Sequence, residues 1–395
     1  MFVFGKNPVL SAAEIISYMR YRNHAVTYKF LKNAALVSSK ERLDAKKIIE
    51  DLGGTLKVCE LVYSGKPEGV EFEKLLEPNS DKIRFGVSAY SDIRPPKLLW
   101  DDFTNRLKKY IKNNSLKFIN VPAKNCYGGY CVQYTDYLNK IEKRGGTEII
   151  VYETSDILYA ARPLSTHDPF EFRKRDVGRP AQRTIYSIPP RLAKTLVNLS
   201  GAKPGDTVLD PFCGIGTIIQ ESFLMGINSV GVDSDESCIK AADKNMAWIR
   251  KRNKSSAKVS LKIGNARKMS SMMPNGSIDA IATEPFLGPP LKKKPSRRHA
   301  ESILSSVRYI YMDFLKEAHK LLRDGKLVSV VSPNFAIPNG NKIRLDVWRI
   351  ADSCGFEILK PLRGSGVKEW EGLISVIDAE ERHKTRREIF VLRKV

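Results

Sequence analysis

Residues Thr207-Val208-Leu209-Asp210-Pro211-Phe212-Cys213-Gly214-Ile215-Gly216-Thr217 (TVLDPFCGIGT) carry the decisive pattern. A short apolar run ends on a carboxylate, a proline follows, and two glycines lead into a helical period at 216–226 (GTIIQESFLMG). The same alternation repeats downstream. Strand 229–233 (SVGVD) precedes a helix over 235–253, where Ile239, Ala242, Met246 and Ile249 recur at steps of three and four. Strands at 258–265 and 277–283 follow, then a long helix with Val307, Ile310, Phe314 and Ala318 on one face. Strand 326–333, a helix over 342–355 and two final strands complete the run. Strands separated by helices predict a parallel sheet covered on both faces, an α/β doubly wound domain. Ligands of such sheets bind beyond the carboxyl ends of the strands, where strand order reverses.

Toward the N-terminus the pattern changes. Ser11-Ala12-Ala13-Glu14 has the spacing of a capping box, with a helix through Ile15, Ile16 and Met19 after it. A strand over 34–37, a helix over 42–52 and a strand over 55–63 make one α+β unit. Strand 85–90, helix 99–113, strand 117–122, helix 131–145 and strand 147–154 make a second. Residues 162–190 are rich in Pro and Arg without sustained period, which predicts a linker.

Composition narrows the function classes. The 395 residues exceed one ordinary core, and 42% hydrophobic with 28% charged residues is globular composition. A net charge of +22 calls for a polyanionic counterpart, with nucleic acid ahead of a membrane surface. No apolar run approaches the ~18 residues that a membrane helix needs, and the N-terminus makes a poor signal peptide. A cytoplasmic location is the simplest expectation. The six cysteines show no CxxC spacing, so neither a zinc site nor a disulfide framework is expected.

Four segments place chemistry at the predicted strand ends. Gly214 and Gly216 let backbone approach a ligand, and the next helix offers free N–H groups. No Gly-Lys-Ser/Thr follows, so this is not a phosphate loop, and Asp210 suits a cationic ligand group. Twenty-three positions on, Asp233 closes its strand where a carboxylate accepts the hydroxyls of a ribose. Asn265 and Ala266, after Gly264, are placed to border the base of such a nucleoside. Glu284-Pro285-Phe286 sets an acceptor, a rigid carbonyl and an aromatic face together. That set can hold the N–H groups of an exocyclic amine and draw its lone pair out of the ring plane.

Together these residues resemble a class I S-adenosylmethionine methyltransferase of the amino-group type, whose amine motif is usually Asp or Asn, Pro, Pro, then Tyr or Phe. DPFCGIGT (210–217) is similar to the cofactor loop of RNA guanine-N2 methyltransferases, and 187–218 resembles the tRNA enzymes that methylate guanosine 10. The resemblance is strongest over 183–290. It implies a ferredoxin-like domain at 1–75, a THUMP RNA-binding domain at 76–161, a linker at 162–183 and a Rossmann-like methyltransferase domain at 184–395. It implies that Asp210, Pro211, Gly214, Gly216 and Thr217 hold the methionine part of S-adenosyl-L-methionine, Asp233 the ribose, and Asn265 with Ala266 the adenine. Glu284 and the Pro285 carbonyl would position the guanine amine and Phe286 would stack on the base, with no metal. The partner would be tRNA, and some relatives need a small zinc-binding activator protein.

Two departures stand out: Glu284 replaces the usual Asp or Asn, and Phe286-Leu287-Gly288 replaces Pro-Tyr-Gly. One methylene moves an oxygen by on the order of 1 Å, which can cost ~100-fold in rate. Basic clusters at 173–175, 250–252, 292–294 with 297–298, and 382–387 fit backbone phosphates. Two other readings share these features. One is an rRNA or DNA amino-methyltransferase acting on guanine-N2 or adenine-N6; the other is a catalytically weak RNA-binding protein on a methyltransferase fold.

Overall fold

The computed structural model describes residues 1–76, 82–183, 187–379 and 383–395. They divide into two compact units, Met1–Pro8 with Thr27–Glu50 and Thr55–Pro169, and Val9–Val26 with Asp51–Gly54 and Phe170–Val395. The first unit is built on one mixed sheet. Residues 1–75 and 76–161, expected as separate α+β units, contribute strands to it together. The seam is the antiparallel pairing of Thr55–Gly65 with Leu158–Thr166. Helix Pro96–Asn113 turns Leu99, Phe103, Leu107 and Ile111 inward, a four-residue step that keeps one face apolar. These side chains pack on Phe85, Val87 and Ile149 of the sheet.

Two local expectations for this unit differ from what forms. Gly129–Cys131 is a strand, and only short helical turns follow over Tyr134–Arg144, so no continuous helix spans 131–145. Its hairpin with Lys124–Cys126 brings Cys126 and Cys131 into a disulfide, Cα to Cα 5.8 Å. Cysteine spacing does not reveal the hairpin between them, so it does not reveal the bond either.

In the second unit the main strands are β1 (Thr207–Asp210), β2 (Asn228–Asp233), β3 (Val259–Ile263), β4 (Ile278–Thr283), β5 (Leu322–Ala336), β6 (Phe356–Leu359) and β7 (Thr385–Lys394). Their order is β3-β2-β1-β4-β5-β7-β6. The first five are parallel, and β7 runs antiparallel between β5 and β6. The order reverses between β1 and β4, so the crevice for a ligand lies beyond their carboxyl ends. The longer helices are α1 (Pro8–Tyr21), α2 (Pro169–Asp176), α3 (Pro190–Leu199), α4 (Thr217–Leu224), α5 (Glu236–Arg250), α6 (Arg297–Leu321) and α7 (Val347–Ser353). Val307, Tyr311, Phe314 and Ala318 of α6 join Leu209, Ile281, Val328 and Val330 in one core. The helix expected over 342–355 is shorter. Lys342–Arg344 pairs with β5 as a strand, and α7 starts only after Asp346, whose side chain caps the Arg349 N–H.

The stretch expected as a linker, 162–183, is structured. Its first residues complete strand Leu158–Thr166, and α2 follows. From α2, Arg175 reaches the fully buried Glu221 through two bonds, Nε to Oε1 at 2.7 Å and Nη2 to Oε2 at 3.3 Å. The expected capping box at Ser11 and Glu14 is also put to another use. Helix α1 begins at Pro8, because proline fits the first turn, so both residues lie inside it. Ser11 donates to the Gly54 carbonyl, while Glu14 accepts from the Gly53 and Gly54 N–H groups and from Asn198 of α3. Burial raises the Glu14 carboxyl above its usual range.

Asn198 is the hub of this junction. Its amide donates to Glu14 Oε1 and to the Asp51 carbonyl, both at 2.8 Å, and it is fully buried. Asn198→Ala removes both bonds, leaving the Asp51 carbonyl without this donor and Glu14 Oε1 with only the Gly53 N–H, so stability is expected to fall by roughly 2–4 kcal/mol. A urea unfolding curve with an unchanged midpoint would refute this reading of the junction.

Candidate active site

The carboxyl edge of β1, β4 and β2 gathers most of the residues singled out from the sequence. Asp210 ends β1 and is buried. Its Oδ1 accepts from the Phe212 N–H at 3.2 Å and from the Thr283 hydroxyl, at the end of β4, at 2.7 Å. Pro211 is buried behind the turn. Gly214 and Gly216 both have positive φ, +50° and +83°. A β-carbon at Gly216 would stand 3.1 Å from the Ala242 β-carbon, so strain and crowding both require glycine there. The Thr217 hydroxyl, first in α4, accepts from Arg179 Nη1 at 2.7 Å. Thr217 is therefore held from behind by a residue of the stretch expected as a linker.

Asp233 ends β2 and bridges back to the glycine turn. Its Oδ2 accepts from the Gly214 N–H and its Oδ1 from the Asp235 N–H, each at 2.9 Å. Each oxygen keeps a further lone pair for a ligand. Past β3, the exposed Asn265 uses its Oδ1 to accept from the Arg267 N–H at 2.9 Å, and Ala266 is buried beside it. Neither lines the cleft described next.

Glu284 follows β4. Its carboxylate is gripped by Arg387 of β7, Nε to Oε2 at 2.5 Å and Nη2 to Oε1 at 3.2 Å. Pro285 is buried and Phe286 is 44% exposed. Gly288 has φ +98°, and a β-carbon there would meet Ile303 at 2.6 Å. That glycine fixes the path of the proline-rich turn. A single cleft of about 580 Å³ is lined by Gly214, Asp233, Glu284, Pro285 and Phe286, with Phe212, Arg183 and Arg387. Asp210 stands behind this wall and does not line it.

Sequence reasoning misses Arg387, Thr283 and Arg179. Arg387 sits in the run 382–387, which reads as a phosphate contact; Arg382 lies outside the described residues. No local signal pairs it with a carboxylate 103 positions away. The other basic clusters divide. Arg175 is buried on Glu221, and Arg297 pairs with Glu301 at 2.9 Å. Lys292, Lys293, Lys294, Arg250, Lys251 and Arg298 are exposed. Burial pushes the thiols of Cys213 and Cys238 upward, which favours the neutral thiol at both positions.

The arrangement offers acceptors on both sides of one cleft: a carboxylate beside open glycine backbone on one, an ion-paired carboxylate next to an aromatic ring on the other. It suits a cationic, hydroxyl-bearing ligand facing a planar group with N–H donors. A family model described as RMKL-like methyltransferase domain matches residues 179–340, and one described as DNA methylase matches 89–244. The tRNA (guanine(10)-N2)-dimethyltransferase of Methanothermobacter thermautotrophicus is 29% identical over 186 residues, 44% of this chain and 50% of that protein. The enzyme of the same name from Pyrococcus abyssi is 35% identical over 119 residues, 30% of this chain and 33% of that one. The matched stretch thus spans half of the first relative and a third of the second. The crystal structure of TrmN from Thermus thermophilus shares the fold, with a TM-score of 0.54 at 15% identity over 100% of this chain and 99% of that one. Among the described residues no helix is long and apolar enough to cross a membrane.

The electrostatics of Asp210 make a direct prediction. Burial, aided by the charges of Asp233 and Glu284, pushes its carboxyl up to about 7. The folded state therefore holds a proton that the unfolded state has lost, and stability declines as pH rises from about 4 through 7. Asp210→Asn keeps an acceptor for Thr283 and removes the charge. At pH 8 it should recover up to about 4 kcal/mol relative to wild type, because each tenfold change in proton affinity carries about 1.4 kcal/mol. At pH 4 the gain should vanish; equal effects at both pH values in urea unfolding would contradict the assignment.

Proposed function

We propose that this chain, whose residues 179–340 match a methyltransferase-domain model, methylates the exocyclic N2 amine of a guanosine in tRNA, at position 10, with S-adenosyl-L-methionine as donor. The observation that carries the proposal is the single cleft in which Gly214 and Asp233 face Glu284, Pro285 and Phe286. The donor set suits the cofactor. Open backbone at Gly214, spare acceptor capacity on Asp233 and the apolar face of Phe212 meet in a volume typical of small-ligand sites. Gly214, Gly216 and Thr217, with the Asp210 carboxyl behind them, would hold the methionine part, Asp233 the ribose, and Asn265 with Ala266 the adenine side. Bound there, S-adenosylmethionine supplies an electrophilic methyl group on a sulfonium.

What remains is the work of the protein. An aromatic amine is a poor nucleophile because its lone pair is shared with the ring. Glu284 and the Pro285 carbonyl accept its N–H groups and pull the nitrogen toward a pyramidal form. Phe286 stacks on the base once it leaves its helix, a requirement for chemistry on a paired base. Orientation and fixed charge supply most of the rate, and the surplus proton leaves through the Glu284 carboxylate to water. The first unit serves as the RNA-binding module, in the range read as ferredoxin-like and THUMP, and the protein works on tRNA in the cytoplasm. Exposed Lys292, Lys293 and Lys294 follow the catalytic turn directly, where phosphates of the bound strand pass.

Nucleoside mass spectrometry of unmodified tRNA incubated with the protein and the methyl donor tests this. N2-methylguanosine or its dimethyl form is expected, and Glu284→Ala should lower the rate at least ~100-fold. N6-methyladenosine instead would favour the amino-methyltransferase reading that the DNA methylase match suggests, and cofactor binding without transfer would favour the RNA-binding one. Affinity for tRNA should fall by at least ~100-fold between 50 and 200 mM salt. A flat response would remove the phosphate contacts from the proposal.

A further inference from the structure

We infer that Arg179 is a positioning residue for the cofactor: its buried guanidinium holds the Thr217 and Ser187 hydroxyls so that both donate to the terminal carboxylate of S-adenosylmethionine. The inference rests on the methyltransferase reading above and adds what makes binding depend on that carboxylate.

Arg179 is only 3% exposed, yet no carboxylate pairs with it among the described residues. Its partners are hydroxyls. Nη1 donates to Thr217 Oγ1 at 2.7 Å and Nη2 to Ser187 Oγ at 2.5 Å, while Nε has no partner among the described residues. Burial opposes its charge. Of the two acids that offset this, Asp176 and Glu221, the second is already held by Arg175 and Lys194. A buried cation left with neutral partners is costly, and an incoming anion relieves that cost.

The hydroxyls show where that anion belongs. Arginine has donors only, so each oxygen accepts from it and must turn its own proton elsewhere. Neither proton is taken by a group among the described residues. Thr217 is also the first residue of α4, whose cap, Gly216, offers no side chain to the free N–H groups of the first turn. Two polarised hydroxyls, an open helix N-terminus and one unpaired guanidinium thus converge beside the glycine turn. Ser187, half-buried, is the open side of this seat, and Thr217, at 4% exposure, is its floor.

The stretch that carries Arg179 is pinned to the same turn. Asn245 of α5, fully buried, accepts from the Ala181 N–H at 2.9 Å and donates to the Ala181 and Ile215 carbonyls, each at 3.1 Å. The methionine end of S-adenosylmethionine is a zwitterion. Asp210 suits its ammonium; Arg179, acting through two hydroxyls, suits its carboxylate.

Isothermal titration with S-adenosylhomocysteine and with its decarboxylated analogue, the aminopropyl thioether of adenosine, isolates the carboxylate, because the analogue keeps the ammonium. Wild type should bind the homocysteine form at least ~30-fold tighter, within the range for hydrogen bonds to a charged group. Arg179→Met should bring that ratio below ~5 by weakening the homocysteine form, with affinity for the analogue kept within ~3-fold. Arg179→Lys, which keeps the charge without the fork, should fall between. Thr217→Val and Ser187→Ala, each lacking one donor, should also give intermediate ratios. A general disturbance of the turn would instead weaken both ligands alike. Equal losses for the two ligands in Arg179→Met, or the wild-type ratio, would overturn the inference. If Arg179→Met does not fold, Thr217→Val decides it: an unchanged ratio refutes the seat. If wild type binds neither S-adenosylmethionine nor S-adenosylhomocysteine, the functional reading itself fails; if it binds S-adenosylhomocysteine and the analogue alike, only this inference does.

Discussion

A buried bond from the Thr283 hydroxyl to the Asp210 carboxyl ties the ends of β1 and β4, the two strands that flank the reversal of strand order. The glycine turn leaves β1 there and the Glu284 turn leaves β4, so this contact sets the distance between the two halves of the cleft. Asp233 then locks the glycine turn from the other side through the Gly214 N–H. Three carboxylates gather at this sheet edge, Asp233 and Glu284 in the wall of the cleft and Asp210 behind it, and each has a distinct partner. Asp210 has a hydroxyl and a backbone donor in a dry place, Asp233 has backbone donors at the surface, and Glu284 has a guanidinium. The same functional group is thereby set to three different tasks by its surroundings.

Much of this is legible in the sequence because it is local. The periods that separate strand from helix repeat within a few residues, and β1, β2, α4, α5 and α6 can be read from them. Asp210, Asp233 and Glu284 can be read as strand-end carboxylates for the same reason. The rest depends on partners far apart in the chain. Glu14 meets Asn198 across 184 positions, so Ser11 and Glu14 have only the local look of a cap. The single sheet of the first unit forms by the pairing of Thr55–Gly65 with Leu158–Thr166, which no period announces. Arg175 and Arg387 pass for surface charges because a basic run does not reveal which of its members turns inward. Composition registers the charge and is blind to its direction.

That blindness bears on function. The chain is strongly basic overall, and the opening at the sheet edge mixes both signs: Asp233 and Glu284 share its wall with Arg183, Lys384 and Arg387. On the proposed reading the exposed lysines after the Glu284 turn attract a phosphate backbone toward the cleft, while the carboxylates inside it are left for the base and the cofactor.

Strand β7 lies between β5 and β6 although both precede it in the chain. During synthesis β5 and β6 emerge with no common neighbour, and the carboxylate of Glu284 waits for a guanidinium encoded 103 residues later. At ribosomal speeds that delay is roughly 5–20 s. A nascent chain stalled anywhere in this interval exposes an unfilled slot in its sheet, a vulnerable edge for misassociation. It also leaves the Glu284 carboxylate without its cation, so on the proposed reading the cleft takes its final charge only when the last strand slides home.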